Sequence, residues 1–115
     1  MEDCIFCQIV KKTAPATILH ESPDVVIIRT IQPSAPVHYL VIPKRHIASV
    51  ADMVETDSGL LGHVIFMARQ GAHMLGLKGY KLVFNVGADG GQMIGHIHLH
   101  LLGGWHKDEP KKVAV

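Results

Sequence analysis

Long apolar runs and a strong charge of either sign are both missing from this sequence. No stretch approaches the roughly 20 apolar residues of a transmembrane helix, and no charged-then-apolar leader opens the chain. The 11 basic residues nearly balance the 10 acidic ones, which argues against binding nucleic acid or a membrane surface through bulk charge. We therefore expect a cytoplasmic protein with neither nucleic acid nor membrane among its partners.

The composition also lacks the features of a disordered chain. Hydrophobic residues make up 48% of the 115 residues and charged residues 18%, which is enough apolar material for a core. The chain contains no internal repeat, linker or low-complexity segment. We predict one domain over residues 1–115 that ends in a short polar tail at about 106–115.

Cysteine is scarce, whereas histidine is abundant. Cys4 and Cys7 form a CxxC pair, and in a cytosolic protein this spacing favours metal binding or redox chemistry over a structural disulfide. A thioredoxin-like redox pair is disfavoured because the expected βαβ pattern is missing. Nine histidines are present, and three of them occupy alternate positions in GHIHLHLLGG, residues 95–104.

The apolar spacing predicts an α+β fold. We expect a short helix over 4–10, a helical turn at 46–53, and a long helix from Asp57 or Ser58 to Leu75. The expected strands are 16–22, 25–30, 38–43, 81–86 and 96–102. The core-facing residues predicted for the long helix are Leu60, Leu61, Val64, Ile65, Ala68 and Ala72. Short turns between strands favour a mainly antiparallel sheet with the helices on one side.

The three alternating histidines point to shared chemistry. On a strand, His96, His98 and His100 would share one face, while the residues between them face the core. A rise of about 3.3 Å per residue would place the outer two about 13 Å apart at the backbone, which disfavours one metal held by all three. A nucleophilic imidazole with neighbours that orient it or protonate a leaving group suits the pattern better. A merely polar strand face is the alternative.

A glycine-rich connection, GADGGQ at 87–92, precedes the histidines. Gly87, Gly90 and Gly91 leave backbone amides without side-chain cover, and such amides can form an anion-binding nest. An ordinary hairpin turn is the alternative, since Asp-Gly-Gly is favourable turn chemistry. Ahead of the histidines, the loop suggests a phosphate held against an imidazole.

Five segments resemble, in order and spacing, the histidine triad (HIT) superfamily and its nucleotide-binding Hint branch of purine nucleoside phosphoramidases. The segments are CIFCQIV, APVHYLVIPKRHI, LLGHV, GYKLVFNVGADGGQ and HIHLHLLGG. The resemblance covers nearly the whole chain. It implies a five-stranded antiparallel sheet with two main helices, continued across a homodimer. It also implies a hydrolase that binds purine nucleotides and cleaves nucleoside 5′-phosphoramidates to AMP or GMP.

The resemblance assigns a role to each histidine of the motif. His98 is implied to form a nucleotidyl-histidine, and His100 to contact the phosphate and assist the leaving group. His38 is implied to lie near the nucleophile, and His96 to complete the triad. The implied nucleotide-binding residues are Asn85, Gly91, Gln92 and Met93 at the phosphate, Thr30 at the ribose, and Ile5, Phe6, Ile9, Ile28 and Leu40 around the purine. Plain core packing is the alternative for the apolar ones.

Several positions depart from the Hint pattern. Thr30 stands where an aspartate usually binds the ribose hydroxyls, and Met93 stands where a serine often contacts the phosphate. Gly95 replaces a typical aromatic residue, and Trp105 directly follows the last glycines. Thr30 and Met93 motivate an alternative function, that of a nucleotide-binding or adaptor protein with little turnover.

The resemblance also implies a metal site. Some bacterial members hold zinc through residues that correspond to Cys4, Cys7, His46 and His96 here. A Cys₂His₂ set is typical of structural Zn²⁺, and it would leave His98 free for chemistry. Two buried reduced cysteines and a solvated His46 are one alternative. A further alternative for the function is a metal-binding domain in which the histidines serve only as ligands.

Overall fold

The computed structural model describes residues 3–109. Its helices are α1 (Ile5–Val10) and α2 (Ser58–Met74). Its strands are β1 (Ile18–Glu21), β2 (Val25–Arg29), β3 (Val37–Pro43), β4 (Tyr80–Phe84) and β5 (Leu99–Gly103). Short 3₁₀ turns lie at Val50–Asp52, Glu55–Asp57 and Ala88–Gly90, the first of them inside the segment predicted as a helical turn.

The strands form one antiparallel sheet in the order β1-β2-β3-β5-β4. Strand β5 lies between β3 and β4, so that His100 pairs with Leu40 on one side and Val83 on the other. The predicted five-stranded antiparallel sheet with two helices is confirmed. The last histidine of the motif is thereby fixed in the middle of the sheet rather than at an edge.

The two helices lie on opposite faces of this sheet, so the prediction of helices on one side was wrong. Val25 and Ile27 of β2 pack with α2, whereas Val26 and Ile28 pack with α1. Consecutive apolar residues on β2 require cover on both faces, because neighbouring side chains point to opposite sides. The unbroken run VVII was the sequence signal for this arrangement.

Helix α2 approaches the sheet closely at Gly71, where a Cβ atom would lie 2.9 Å from Cδ1 of Ile27. Its buried residues are Val64, Met67, Ala68, Gly71 and Ala72. Ile65 is 44% exposed, so its predicted place in the core was wrong, and Met67 fills that face instead. The helix ends at Met74, and Gly76 follows with φ of +72°.

The final strand begins at Leu99, three residues later than the predicted start at His96. The amide of His96 donates to the Ile94 carbonyl, and the amide of Ile97 donates to the Ile47 carbonyl outside the sheet. His96 and His98 therefore precede β5, and only His100 lies on it. Within the described residues 3–109, no helix is long and apolar enough to cross a membrane.

Candidate functional site

Two cysteines and two histidines converge between α1 and the segment that precedes β5. The ligand atoms of Cys4, Cys7, His46 and His96 all lie within 4.8 Å of one another. His96 Nδ1 is 3.5 Å from Cys4 Sγ, 3.6 Å from Cys7 Sγ and 3.2 Å from His46 Nδ1. Cys7 Sγ is 3.3 Å from His46 Nδ1. Helix α1, which carries Cys7, and the loop after β3, which carries His46, therefore meet at this cluster.

These distances fit the edges of a tetrahedral zinc site. With Zn–N of about 2.05 Å and Zn–S of about 2.3 Å, tetrahedral angles require N···N of about 3.3 Å and S···N of about 3.6 Å. The other ring nitrogen of His96, Nε2, lies 2.7 Å from the Pro43 carbonyl. A carbonyl only accepts, so Nε2 carries the proton and Nδ1 presents its lone pair to the cluster. Such an outer hydrogen bond is usual for a histidine that ligates a metal.

Burial disfavours the charged forms of two members of this cluster, His96 and Cys7. His96 is fully buried, and burial lowers its pKa despite the hydrogen bond to Pro43. Burial also raises the pKa of the Cys7 thiol, with Cys4 adding to the effect. Two thiolates at this position would therefore need a positive partner, which a divalent cation supplies.

His98 stands next to the cluster with its ring fixed in one orientation. Its Nδ1 lies 2.9 Å from the carbonyl oxygen of His96, so Nδ1 holds the proton and Nε2 keeps a lone pair. The side chain is buried, with 7% of its surface exposed. Burial lowers the pKa of His98, and the hydrogen bond to His96 opposes that effect. The result is a neutral imidazole near pH 7 whose Nε2 makes no hydrogen bond within residues 3–109.

His38 and His100 form a pair beside His98. His38 Nε2 lies 2.9 Å from His100 Nδ1, and the amide of Ser34 donates to His38 Nδ1 over 2.9 Å. The rings of His98 and His100 are 5.0 Å apart. Burial lowers the pKa of His38, and burial together with the neighbouring His98 and His38 lowers that of His100 to about 4. His100 Nε2 is buried and has no hydrogen-bond partner among residues 3–109.

A cavity of about 810 Å³ adjoins these histidines between α1 and the sheet. Phe6 lines the cavity and also contacts the ring of His98 at 5.1 Å. Leu40 lines it as well and pairs with His100 across the strands. The remaining lining residues are Ile5, Ile9, Pro15, Ala16, Thr17, Ile28, Arg29, Thr30, Ile31, Gln32 and Ile94. The walls are mainly apolar, and among residues 3–109 no carboxylate lines them, which suits a flat, largely apolar ring system.

The glycine-rich loop is closed by its own hydrogen bonds. The amides of Gly90 and Gly91 donate to the carbonyls of Gly87 and Ala88, and the amide of Gly87 donates to Gln92 Oε1 over 2.8 Å. These three amides donate within the loop, so they are not available to an anion in the way the predicted nest requires. Gln92 also donates through Nε2 to the Ala48 and Ile94 carbonyls. Its side chain fixes the loop against the segment that follows His46.

Comparison with known proteins identifies the family. A family model described as "Scavenger mRNA decapping enzyme C-term binding" matches residues 3–114. An uncharacterized HIT-like protein from Synechococcus elongatus is 42% identical over 104 residues, which cover 90% of this chain and 91% of that protein. The chain belongs to the histidine triad superfamily.

Solved structures of HIT proteins share this fold closely. A HIT family hydrolase from Legionella pneumophila Philadelphia 1 is 45% identical, with a TM-score of 0.88 over 94% of this chain and 98% of that one. A Zn-bound histidine triad family protein from Mycobacterium smegmatis is 30% identical, with a TM-score of 0.80 over 94% of this chain and 79% of that one. The likeness supports a hydrolase with a nucleotide-binding HIT fold.

The HIT fold brings together most residues that the sequence singled out. The four cluster residues converge, as do His38, His98 and His100, and every residue proposed for the purine and ribose pocket lines one cavity. The side chain of Met93 is 92% exposed and is not among the residues that line this cavity. Sequence reasoning missed Ile94, which lines the cavity directly after Met93. It also missed the Ser34 amide and the Pro43 carbonyl, because backbone groups carry no residue-type signal.

Proposed function

We propose that this HIT protein cleaves purine nucleoside 5′-phosphoramidates through a nucleotidyl-histidine formed on His98. The observation that carries the proposal is the free Nε2 of His98, held by the Nδ1 hydrogen bond to the His96 carbonyl at 2.9 Å. A neutral imidazole is the side chain suited to attack and then to leave near pH 7. Here it stands beside a cavity with room for a nucleoside.

The reaction proceeds in two balanced steps. In the first, the lone pair of His98 Nε2 bonds to the α-phosphorus while the P–N bond of the substrate breaks. The amine leaves with that electron pair and takes a proton from solvent. His98 becomes a nucleotidyl-imidazolium, and the His96 carbonyl stabilises its charge through the Nδ1 proton. In the second step water attacks the phosphorus, the electron pair returns to Nε2, and the proton of the water is released.

The remaining side chains bind the nucleotide. The apolar walls, with Ile5, Phe6, Ile9, Ile28 and Leu40 among them, surround the purine, and Thr30 lies at the ribose. His100 contacts the phosphate, together with Asn85, and His38 holds the ring of His100 through its Nε2. The amide of Met93 makes no hydrogen bond within residues 3–109. It is therefore the donor in the segment Gly91–Met93 best able to reach a phosphate oxygen.

A zinc ion fits the cluster of Cys4, Cys7, His46 and His96, and we propose it as a structural ion. The interatomic distances, the lone pair of His96 Nδ1 and the Zn-bound relative from M. smegmatis support it. When bound, zinc would neutralise two thiolates and join α1 to the segment before β5. The two steps proposed at His98 use its imidazole, a water molecule and a proton from solvent.

A homodimer is proposed on the exposed apolar surface of α2 and the edge strand β4. Ile65 and Phe66 of α2 are 44% and 51% exposed, and Leu82 of β4 is 38% exposed. Strand β4 ends the sheet order, so a second copy could continue the sheet there. We also propose a cytoplasmic location, which agrees with two cysteines that remain free thiols.

Release of AMP from adenosine 5′-phosphoramidate by the purified protein tests the function. Wild type should release AMP, and His98→Ala should bind AMP but release none. Binding by both proteins without turnover would instead favour the alternative function, a nucleotide-binding or adaptor protein. The specific observations in favour of that alternative are Thr30 and Met93, which replace groups that usually hold ribose and phosphate.

A further inference from the structure

The hydrogen bonds around His38 fix where each ring carries its proton. The amide of Ser34 lies 2.9 Å from His38 Nδ1. A backbone N–H only donates, so Nδ1 of His38 must be the acceptor and cannot be protonated. A neutral His38 therefore carries its single ring proton on Nε2.

The tautomer of His38 also fixes the tautomer of His100. His38 Nε2 lies 2.9 Å from His100 Nδ1, and because His38 supplies the proton of that bond, His100 Nδ1 accepts it. The ring proton of His100 must then be on Nε2. That atom is buried and has no hydrogen-bond partner among residues 3–109. His100 thus presents an unsatisfied N–H beside His98, whose ring centroid is 5.0 Å away.

We propose that the backbone amide of Ser34 is a positioning group for the reaction, which makes His100 a fixed N–H donor to a phosphoryl oxygen. Without that amide, His38 could carry its proton on Nδ1, and His100 would then donate from its own Nδ1 to His38. His100 Nε2 would become a lone pair facing an anionic phosphate. The Ser34 amide therefore determines whether His100 Nε2 attracts the phosphate through an N–H or repels it through a lone pair.

This proposal rests on the proposed function and narrows the role of His100. A neutral imidazole that gave its proton away completely would become an imidazolate, which is far too basic to persist near pH 7. His38 cannot replace that proton, because its Nδ1 is occupied by the Ser34 amide. His100 therefore stabilises charge by a hydrogen bond, as donors of an oxyanion hole do, and does not transfer its proton to the leaving amine.

The tautomers can be read directly by two-bond ¹H–¹⁵N NMR on histidine-labelled protein. Wild type should show protons on Nε2 of both His38 and His100 near pH 7. His100 with its proton on Nδ1 would overturn the proposal, whether or not the protein hydrolyses phosphoramidates. If only the proposed function is wrong, the protein should show these tautomers but no turnover of phosphoramidates.

The variant Ser34→Pro removes the amide N–H, and Ser34→Ala keeps it. Ser34→Ala should retain the wild-type tautomers, and Ser34→Pro should lose the Nε2 proton of His100. The kcat of Ser34→Pro should fall about 10²-fold, the usual cost of one oxyanion-hole donor, with a smaller change in KM. Wild-type tautomers in Ser34→Pro would contradict the proposal. If proline prevents folding, an ester bond at the Ser34 nitrogen, made by semisynthesis, removes the same proton and carries the same expectations.

Discussion

His98 Nδ1 lies 2.9 Å from the carbonyl oxygen of His96, and His96 itself belongs to the cysteine–histidine cluster. The backbone of one residue thus orients the proposed nucleophile while its side chain faces two thiols and a second imidazole. His96 is fixed at its other ring nitrogen by the Pro43 carbonyl at 2.7 Å. The cluster and the ring of the proposed nucleophile are therefore coupled through a single buried residue.

Elemental analysis should find one zinc ion per chain in the purified protein. The double variant Cys4→Ser/Cys7→Ser should contain none, because serine hydroxyls are poor zinc ligands, and its melting temperature should fall since metal binding contributes to folding. His73→Ala, which changes an exposed histidine on α2, is the matched control and should retain the metal. Zinc still bound at wild-type stoichiometry in the double variant would refute the assignment of these ligands.

Acidification should destabilise the folded protein between pH 6.5 and about 4. Burial and the neighbouring histidines lower the pKa of His100 from 6.5 to about 4 in the folded chain. Between these values the unfolded chain binds a proton that the folded chain does not, so the free energy of unfolding falls as the pH falls. Urea unfolding at pH 7 and pH 5 should show a smaller acid loss for His100→Gln than for wild type. Equal losses would contradict the lowered pKa.

With threonine at position 30, the pocket should show little preference between ribose and 2′-deoxyribose. Its hydroxyl already accepts a hydrogen bond from the Gln32 amide at 3.2 Å, and no carboxylate from the described part of the chain lines the cavity. Thr30→Asp should raise the ratio of kcat/KM for ribonucleoside over 2′-deoxyribonucleoside phosphoramidate by about tenfold, since a carboxylate forms stronger hydrogen bonds to hydroxyls. Thr30→Asn, of similar size but uncharged, should change the ratio less. A strong ribose preference in the wild type would exclude this account of Thr30.

Gly76 should be required for the end of α2. It has φ of +72°, its amide donates to the His73 carbonyl, and the Leu77 amide donates to the Ala72 carbonyl, the pattern of a Schellman motif. Gly76→Ala should lower the free energy of unfolding by about 1–2 kcal/mol, the cost of a left-handed conformation for a residue with a Cβ atom.

Gly62, inside α2, serves as a control for which the expected change in stability has the opposite sign. Nothing lies within 4 Å of a Cβ atom placed on Gly62, so Gly62→Ala should stabilise the helix by about 0.5–1 kcal/mol. Chemical denaturation of both variants checks these signs. A Gly76→Ala protein as stable as wild type would argue against the strained helix end.

Sequence patterns predicted the helices and strands to within a few residues, but they placed some faces wrongly. Period-3.6 spacing located α2, yet Ile65 and Met67 are equally apolar, and only docking on the sheet decides which one is buried. The start of the last strand was missed because alternation continues through His96 while the hydrogen-bonded ladder does not. Periodicity predicts which side chains share a face of a strand. Whether those residues pair with a neighbouring strand depends on where another segment of the chain lies.

The side chains of the site were predictable, and the groups that orient them were not. Residue type and motif order, through the resemblance to HIT proteins, led to the cysteine–histidine cluster and to the lining of the cavity. The protonation pattern depends on three backbone groups, the Ser34 amide and the carbonyls of Pro43 and His96. Every residue carries such groups, so only the fold shows which of them face an imidazole.

The stereochemical course at phosphorus distinguishes a nucleotidyl-histidine from direct attack by water. A substrate made chiral at the α-phosphorus with sulfur and oxygen isotopes would be hydrolysed in labelled water, and the configuration of the released nucleotide determined. Attack by His98 and then by water inverts the configuration at phosphorus twice. Net retention of configuration is therefore expected. Net inversion would mean that water attacks the substrate directly, and it would contradict a nucleotidyl-histidine on His98.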